Sequence, residues 1–123
     1  MTEPIPNDVA IYVGIDPTCD KSGVAVWRPS DKQYSMSSFR FVDLFRFFEI
    51  NRLVIRLVVI GALWRNKPVW YKIVAEICEH LKLHYDLVAP ASKLDSKEFA
   101  RITGIKERTS QEKRNAMMLV WRK

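Results

Sequence analysis

Apolar residues recur along the chain with two different periods, and together these predict a mixed α/β domain. Residues 9–15 are mostly apolar on both faces, which is typical of a strand at the centre of a sheet. The β-branched run at residues 53–60 predicts another buried strand. The predicted strands cover residues 9–15, 23–27, 33–41, 53–60 and 85–88, with turns at residues 17–22 and 29–32.

Helical patterns fill the intervals after the third strand. Residues 42–50 predict a short helix. Between residues 69 and 83 apolar side chains recur at helical spacing with charged side chains opposite them, and Pro68 precedes this amphipathic helix. The predicted strand at residues 53–60 therefore has one helix before it and one after it along the chain.

Two pairs of residues near the C-terminus have the spacing of a capping box. Asp95 and Glu98 predict the start of a helix that ends at Gly104. Thr109 and Glu112 repeat this device at the start of the last helix, which runs towards Arg122. The complete predicted order is βββαβαβαα.

Composition limits the chain to one globular domain without a membrane span. Its 123 residues are 48% hydrophobic. We expect a short flexible leader at residues 1–8 and a single domain at residues 9–123. The longest uncharged run in the apolar middle segment, residues 57–64, is too short to cross a bilayer. Cys19 and Cys78 have no metal-like spacing, so we expect reduced thiols and a cytoplasmic protein.

Positive charge is concentrated in the C-terminal quarter of the chain. The whole chain carries a net charge of +6. Residues 91–123 contain nine Lys or Arg against four Asp or Glu, a local balance of +5. Such a segment suits a polyanion, since Lys and Arg displace condensed counterions from phosphates, although a solvated helical surface has the same composition.

Two segments at opposite ends of the chain carry the candidate chemistry. Residues 13–17 read VGIDP and place Asp16 at the end of the first strand. Residues 93–120 read KLDSKEFARITGIKERTSQEKRNAMMLV. Together they resemble the RuvC-like Holliday-junction resolvases, especially the short phage and prophage members. The resemblance implies an RNase H-like α/β domain with a central mixed five-stranded sheet flanked by helices.

The resemblance also implies a two-metal nuclease site with Mg²⁺ or Mn²⁺, to which this chain offers an incomplete set of ligands. Asp16 matches the first acidic position and Glu112 a later one, so these two are the predicted metal ligands. The acidic position after the fourth strand is occupied by Gly61, or by Ile60 if the register slips by one. The final position is occupied by the neutral Asn115. Asp16 as a turn cap and Glu112 as the capping partner of Thr109 are the alternative interpretations.

Basic and aromatic residues predict a DNA-binding surface near this site. Trp64, Arg65 and Lys67 lie between the fourth strand and the amphipathic helix, where the resemblance implies contacts with branched DNA. Six further basic residues would contact the phosphates of the DNA backbone. They are Lys93, Lys97, Lys106, Arg108, Lys113 and Arg114.

Two functional hypotheses follow from the sequence. The resemblance implies a homodimer that binds four-way DNA junctions and cleaves them with divalent metal ions, with cleavage impaired by Gly61 and Asn115. The alternative is a non-enzymatic branched-DNA-binding protein, natural or engineered, that keeps recognition and has lost the nuclease activity.

Overall fold

The computed structural model describes residues 5–62, 69–89 and 94–123. These residues form strands and helices in the order predicted from the sequence. The strands are β1 (Ile11–Asp16), β2 (Ser22–Arg28), β3 (Gln33–Phe39), β4 (Ile55–Gly61) and β5 (Tyr85–Val88). The helices are α1 (Phe41–Asn51), α2 (Trp70–His80), α3 (Ser96–Thr103) and α4 (Gln111–Val120).

The five strands form one mixed sheet in the order β3-β2-β1-β4-β5. The first three strands pair antiparallel, whereas β4 runs parallel to both β1 and β5. The C-terminal ends of β1, β4 and β5 therefore meet at one edge of the sheet. The predicted α/β fold with a central mixed five-stranded sheet is confirmed.

Apolar side chains on the two faces of the sheet build two separate cores. Alternate residues of a strand point to opposite faces, so Val13 and Ile15 face one core and Gly14 and Asp16 the other. The first core packs against α1 and α2, and contains Leu44, Phe48, Val74 and Cys78. The second core packs against α3 and α4, and consists of Ala25, Trp27, Val59, Phe99, Ile105, Ala116, Met117 and Val120.

Two glycines let α4 lie directly on the sheet. A Cβ added to Gly14 would lie 2.2 Å from the carbonyl oxygen of Ala116, and one added to Gly23 would lie 2.2 Å from that of Glu112. Real Cβ atoms do not approach a backbone oxygen so closely. The first turn of α4 consequently lies over Gly23, which pairs with Asp16 in the β1–β2 ladder.

We expect Gly14→Ala to destabilise the protein by about 2 kcal/mol, because α4 must move away from β1 to admit the methyl group. Urea denaturation measures the change in the free energy of unfolding. Gly61→Ala is the matched control, since its added Cβ would meet no atom closer than 3.5 Å. Equal stability of the two variants would contradict the close packing of α4 on the sheet.

The ends of the helices correct two details of the sequence prediction. Asp95 does cap α3, because its side chain accepts a hydrogen bond from the Glu98 N–H at 2.8 Å, and Gly104 ends that helix with φ of 76°. The predicted cap of α4 at Thr109 is wrong, since Ser110 is the N-cap and accepts from the Lys113 N–H. The capping interpretation of Glu112 therefore fails as well. Helix α4 runs towards Arg122 as predicted and ends at Val120.

The remaining composition-based predictions concern thiols and membranes. Neither Cys19 nor Cys78 forms a disulfide. Burial, together with a smaller effect of the Glu79 charge, raises the pKa of the Cys78 thiol to about 12, so this thiol is protonated at neutral pH. In the described part of the chain, no helix is sufficiently long and apolar to traverse a bilayer.

Candidate functional site

The carboxylate of Asp16 lies at the sheet edge where parallel strands end. Ile15 pairs with Ile60 of β4, so the next residue along each strand brings Asp16 beside Gly61. Both residues face α4, whereas Ile60 is fully buried in the core on the other face. The position beside Asp16 is therefore Gly61, and the alternative register with Ile60 is excluded.

The first turns of α4 bring two further predicted residues to the same place. Glu112 lies over Gly23, since an added Cβ there would be 2.9 Å from the Glu112 Cβ. Asn115 is one turn further along α4 and its Nδ2 donates a hydrogen bond to Asp16 Oδ2 at 3.0 Å. The four positions singled out in the sequence, Asp16, Gly61, Glu112 and Asn115, are thus gathered at one edge of the sheet.

A chain of hydrogen bonds along α4 fixes which atom of Asn115 faces Asp16. The guanidinium of Arg114 can only donate, and its Nη2 donates to Gln111 Oε1 at 3.2 Å. Gln111 Nε2 then donates to Asn115 Oδ1 at 2.8 Å, and the Asn115 amide nitrogen donates to Asp16. The hydrogen bonds in this chain all point in one direction, from the Arg114 guanidinium to the Asp16 carboxylate.

Gln111 was not predicted as a site residue from the sequence. Its amide nitrogen bridges Asn115 Oδ1 and the Leu94 carbonyl, the second at 3.2 Å. A glutamine is too common on helix surfaces to attract attention by itself. The available signal is its position four residues before Asn115, a spacing that puts the two side chains on one face of a helix.

The backbone at Gly61 leaves room for a Cβ atom. An added Cβ would lie 3.5 Å from the Ile15 carbonyl oxygen, 3.7 Å from Leu119 Cδ1 and 3.9 Å from Asp16 Oδ1. These are ordinary van der Waals distances. A longer side chain at this position would begin next to the Asp16 carboxylate.

The acidic groups of the site are few. In residues 5–62, 69–89 and 94–123 there is no group of three or more His, Cys, Asp or Glu side chains that could hold a metal ion. Of the four positions, only Asp16 and Glu112 supply carboxylates, and the Asn115 amide donates to Asp16 Oδ2. A divalent cation needs oxygen acceptors, so an N–H group directed at the carboxylate opposes binding there.

The predicted basic residues differ in their availability for a ligand. Lys97, Lys106 and Arg108 are exposed, whereas Lys113 is half-buried. The guanidinium of Arg114 bonds within the protein: Nε donates to the Leu94 carbonyl at 3.0 Å, and Nη1 donates to the Thr109 carbonyl at 2.7 Å. Its position therefore favours a role in holding the start of α4.

The loop that carries Lys106 and Arg108 passes near the edge strand β3. Desolvation and the nearby Glu107 carboxylate raise the pKa of the Tyr34 hydroxyl on that strand. Glu107 lies between Lys106 and Arg108 in the chain, so the loop between α3 and α4 brings these two cations to the same part of the domain.

Four predicted DNA-binding residues, Trp64, Arg65, Lys67 and Lys93, lie outside the described residues. Their predicted contacts stay predictions. The structure therefore shows where Asp16 lies at the end of the sheet, and where the predicted basic residues from Lys97 onwards lie.

Comparison with solved structures identifies the fold. The chain superimposes on the RuvC of T. thermophilus, solved in complex with a Holliday junction substrate, with a TM-score of 0.65 and 13% identity over 89% of each chain. It superimposes on the fowlpox virus Holliday junction resolvase with a TM-score of 0.58 and 10% identity, over 89% of this chain and 94% of that one. At these identities the likeness shows the fold, which is that of the RuvC-like resolvases. No protein-family model matches the sequence, and no curated protein matches it either.

Proposed function

We propose that this chain is a RuvC-like Holliday-junction resolvase family member of the short phage type, which binds four-way or branched DNA as a homodimer. We further propose that it cleaves that DNA very slowly or not at all. The observation that carries the proposal is the hydrogen bond from Asn115 to Asp16 inside a RuvC-like fold. Its place of action would be the cytoplasm, where both cysteines stay reduced.

Junction binding is supported by the fold together with the charge distribution. The two similar structures are Holliday junction resolvases, one of them solved with its junction substrate. In this chain the exposed cations Lys97, Lys106 and Arg108 belong to the segment with a charge balance of +5 and lie on the α3–α4 side, which also bears the Asp16 edge. Phosphates of a bound DNA backbone would be neutralised there.

Weak or absent cleavage is supported by the chemistry of the four gathered positions. RuvC-like resolvases depend on divalent metal ions, which activate water and stabilise the leaving oxygen. The residues of this site do not fit such a pair of ions, because Gly61 has no side chain and Asn115 is neutral and donates to Asp16. We therefore favour the non-enzymatic DNA-binding protein among the two hypotheses.

The experiment is a gel-shift titration of a labelled four-way junction and of a linear duplex with the same arm sequence. We expect tighter binding of the junction, with a complex whose mass by light scattering corresponds to two protein chains. Equal affinity for the two DNAs would reject structure selectivity. One chain per junction at saturating protein would reject the homodimer while leaving the binding result intact.

A further inference from the structure

We infer that the chain of hydrogen bonds Gln111–Asn115–Asp16 takes the structural place of a cation between β1 and α4, so that this edge is stable without metal. The inference concerns the folded protein itself and goes beyond its proposed binding of DNA. It starts from the disagreement between the two-ion site that the fold implies and the side chains that this chain supplies.

The physical problem at this edge is the close approach of a carboxylate and a helix. Helix α4 lies on Gly14 and Gly23 without intervening side chains, so residue 115 is held next to Asp16. If residue 115 were an aspartate, two carboxylate oxygens would face each other at about the 3.0 Å that now separates the Asn115 nitrogen from the Asp16 oxygen. Such a pair needs a shared proton or a cation between its members.

The asparagine removes this requirement, because its N–H group is itself the positive partner. Its orientation is held from behind, since Gln111 donates to Asn115 Oδ1 at 2.8 Å and Arg114 donates to Gln111 Oε1 at 3.2 Å. A flipped amide would place an oxygen against Asp16 and a nitrogen against the Gln111 nitrogen. Gln111 and Arg114 are thus positioning residues for Asn115.

Thermal unfolding of the unmodified chain and of Asn115→Asp tests the inference, at pH 8 in EDTA and then in excess Mn²⁺. In EDTA, Asn115→Asp is expected to lower the Tm by about 5 °C, through the lost charge-assisted hydrogen bond and the new like-charge contact. Mn²⁺ should recover at least half of this loss by binding only the folded variant. The Tm of the unmodified chain should change by less than about 1 °C on adding Mn²⁺.

Asn51→Asp is the matched control. Asn51 is also half-buried, and its Nδ2 donates to the Phe47 carbonyl at 2.9 Å, so the substitution removes a comparable hydrogen bond away from Asp16. Its loss of Tm should be insensitive to Mn²⁺. Gln111→Met provides a second variant with an unchanged charge, for which we expect a smaller loss of Tm that is also independent of Mn²⁺.

Three outcomes would overturn the inference. The unmodified chain could gain as much Tm from Mn²⁺ as Asn115→Asp does, which would mean that the native edge already binds a cation. Asn115→Asp could be as stable as the unmodified chain in EDTA, or Gln111→Met could leave the Tm unchanged. None of these assays contains DNA, so failure of the inference and failure of junction binding are separate results.

Discussion

The double variant Gly61→Glu with Asn115→Asp is expected to nick a labelled four-way junction at least about a hundredfold faster than the unmodified chain in Mg²⁺ or Mn²⁺. The reason is that two acidic ligands return to the edge that holds Asp16 and Glu112, and a single electrostatic contact to the reacting centre typically contributes about a hundredfold or more. The backbone at Gly61 admits the Cβ of the new side chain, because the nearest atom to an added Cβ is 3.5 Å away.

The controls separate metal chemistry from non-specific effects. Asn115→Asp alone should restore cleavage only partly. Gly61→Gln with Asn115 retained has a side chain of the same size without the charge, and should stay inactive. Adding Asp16→Asn to the double variant should abolish the restored activity. An inactive double variant that still binds the junction would contradict the assignment of Gly61 and Asn115 as the positions that limit cleavage.

Neutralising the three exposed cations Lys97, Lys106 and Arg108 to glutamine is expected to weaken junction binding roughly tenfold or more at low salt. The slope of log affinity against log salt concentration should become shallower by about one for each phosphate contact that is lost. The measurement is a gel-shift titration at three or more salt concentrations. Loss of affinity without a change of slope would contradict phosphate contact.

A matched triple variant tests whether position or total charge decides the result. Arg46, Lys72 and Lys82 are also exposed, but they belong to the α1–α2 side of the sheet or to the turn after α2. Their replacement by glutamine changes the net charge by the same amount. We expect affinity close to that of the unmodified chain, and a tenfold loss would move the DNA surface away from α3 and α4.

The features that the sequence predicts correctly are those decided by neighbours along the chain. Alternation and β-branched runs predicted the strands. Gly104 marked the end of α3, because a glycine has no Cβ and adopts the left-handed conformation without steric cost. Asp95 was identified as a cap because the capping hydrogen bond closes within three residues. The position of Asp16 at a strand end followed from the same local patterns, whereas the choice between Gly61 and Ile60 required the pairing of β1 with β4.

The features that it misses depend on contacts distant in the chain. Thr109 and Ser110 are both good capping residues. In the structure Ser110 is the N-cap of α4, whereas the Thr109 hydroxyl accepts a hydrogen bond from Arg114 Nη1 at 3.1 Å. The hydrogen bond between Asp16 and Asn115 joins positions 99 residues apart. Close packing of α4 on Gly14 was equally invisible, because a strand glycine does not reveal which element lies over it.

The central claim, that this chain binds branched DNA without cutting it efficiently, is tested most directly by one assay on one labelled four-way junction. Binding is recorded by gel shift in EDTA, and nicking by denaturing gel after transfer of the same complex into Mg²⁺ or Mn²⁺. The account predicts a complex tighter than that with the matched linear duplex, and DNA strands that remain intact. Rapid metal-dependent nicking by the unmodified chain, abolished by Asp16→Asn, would contradict it.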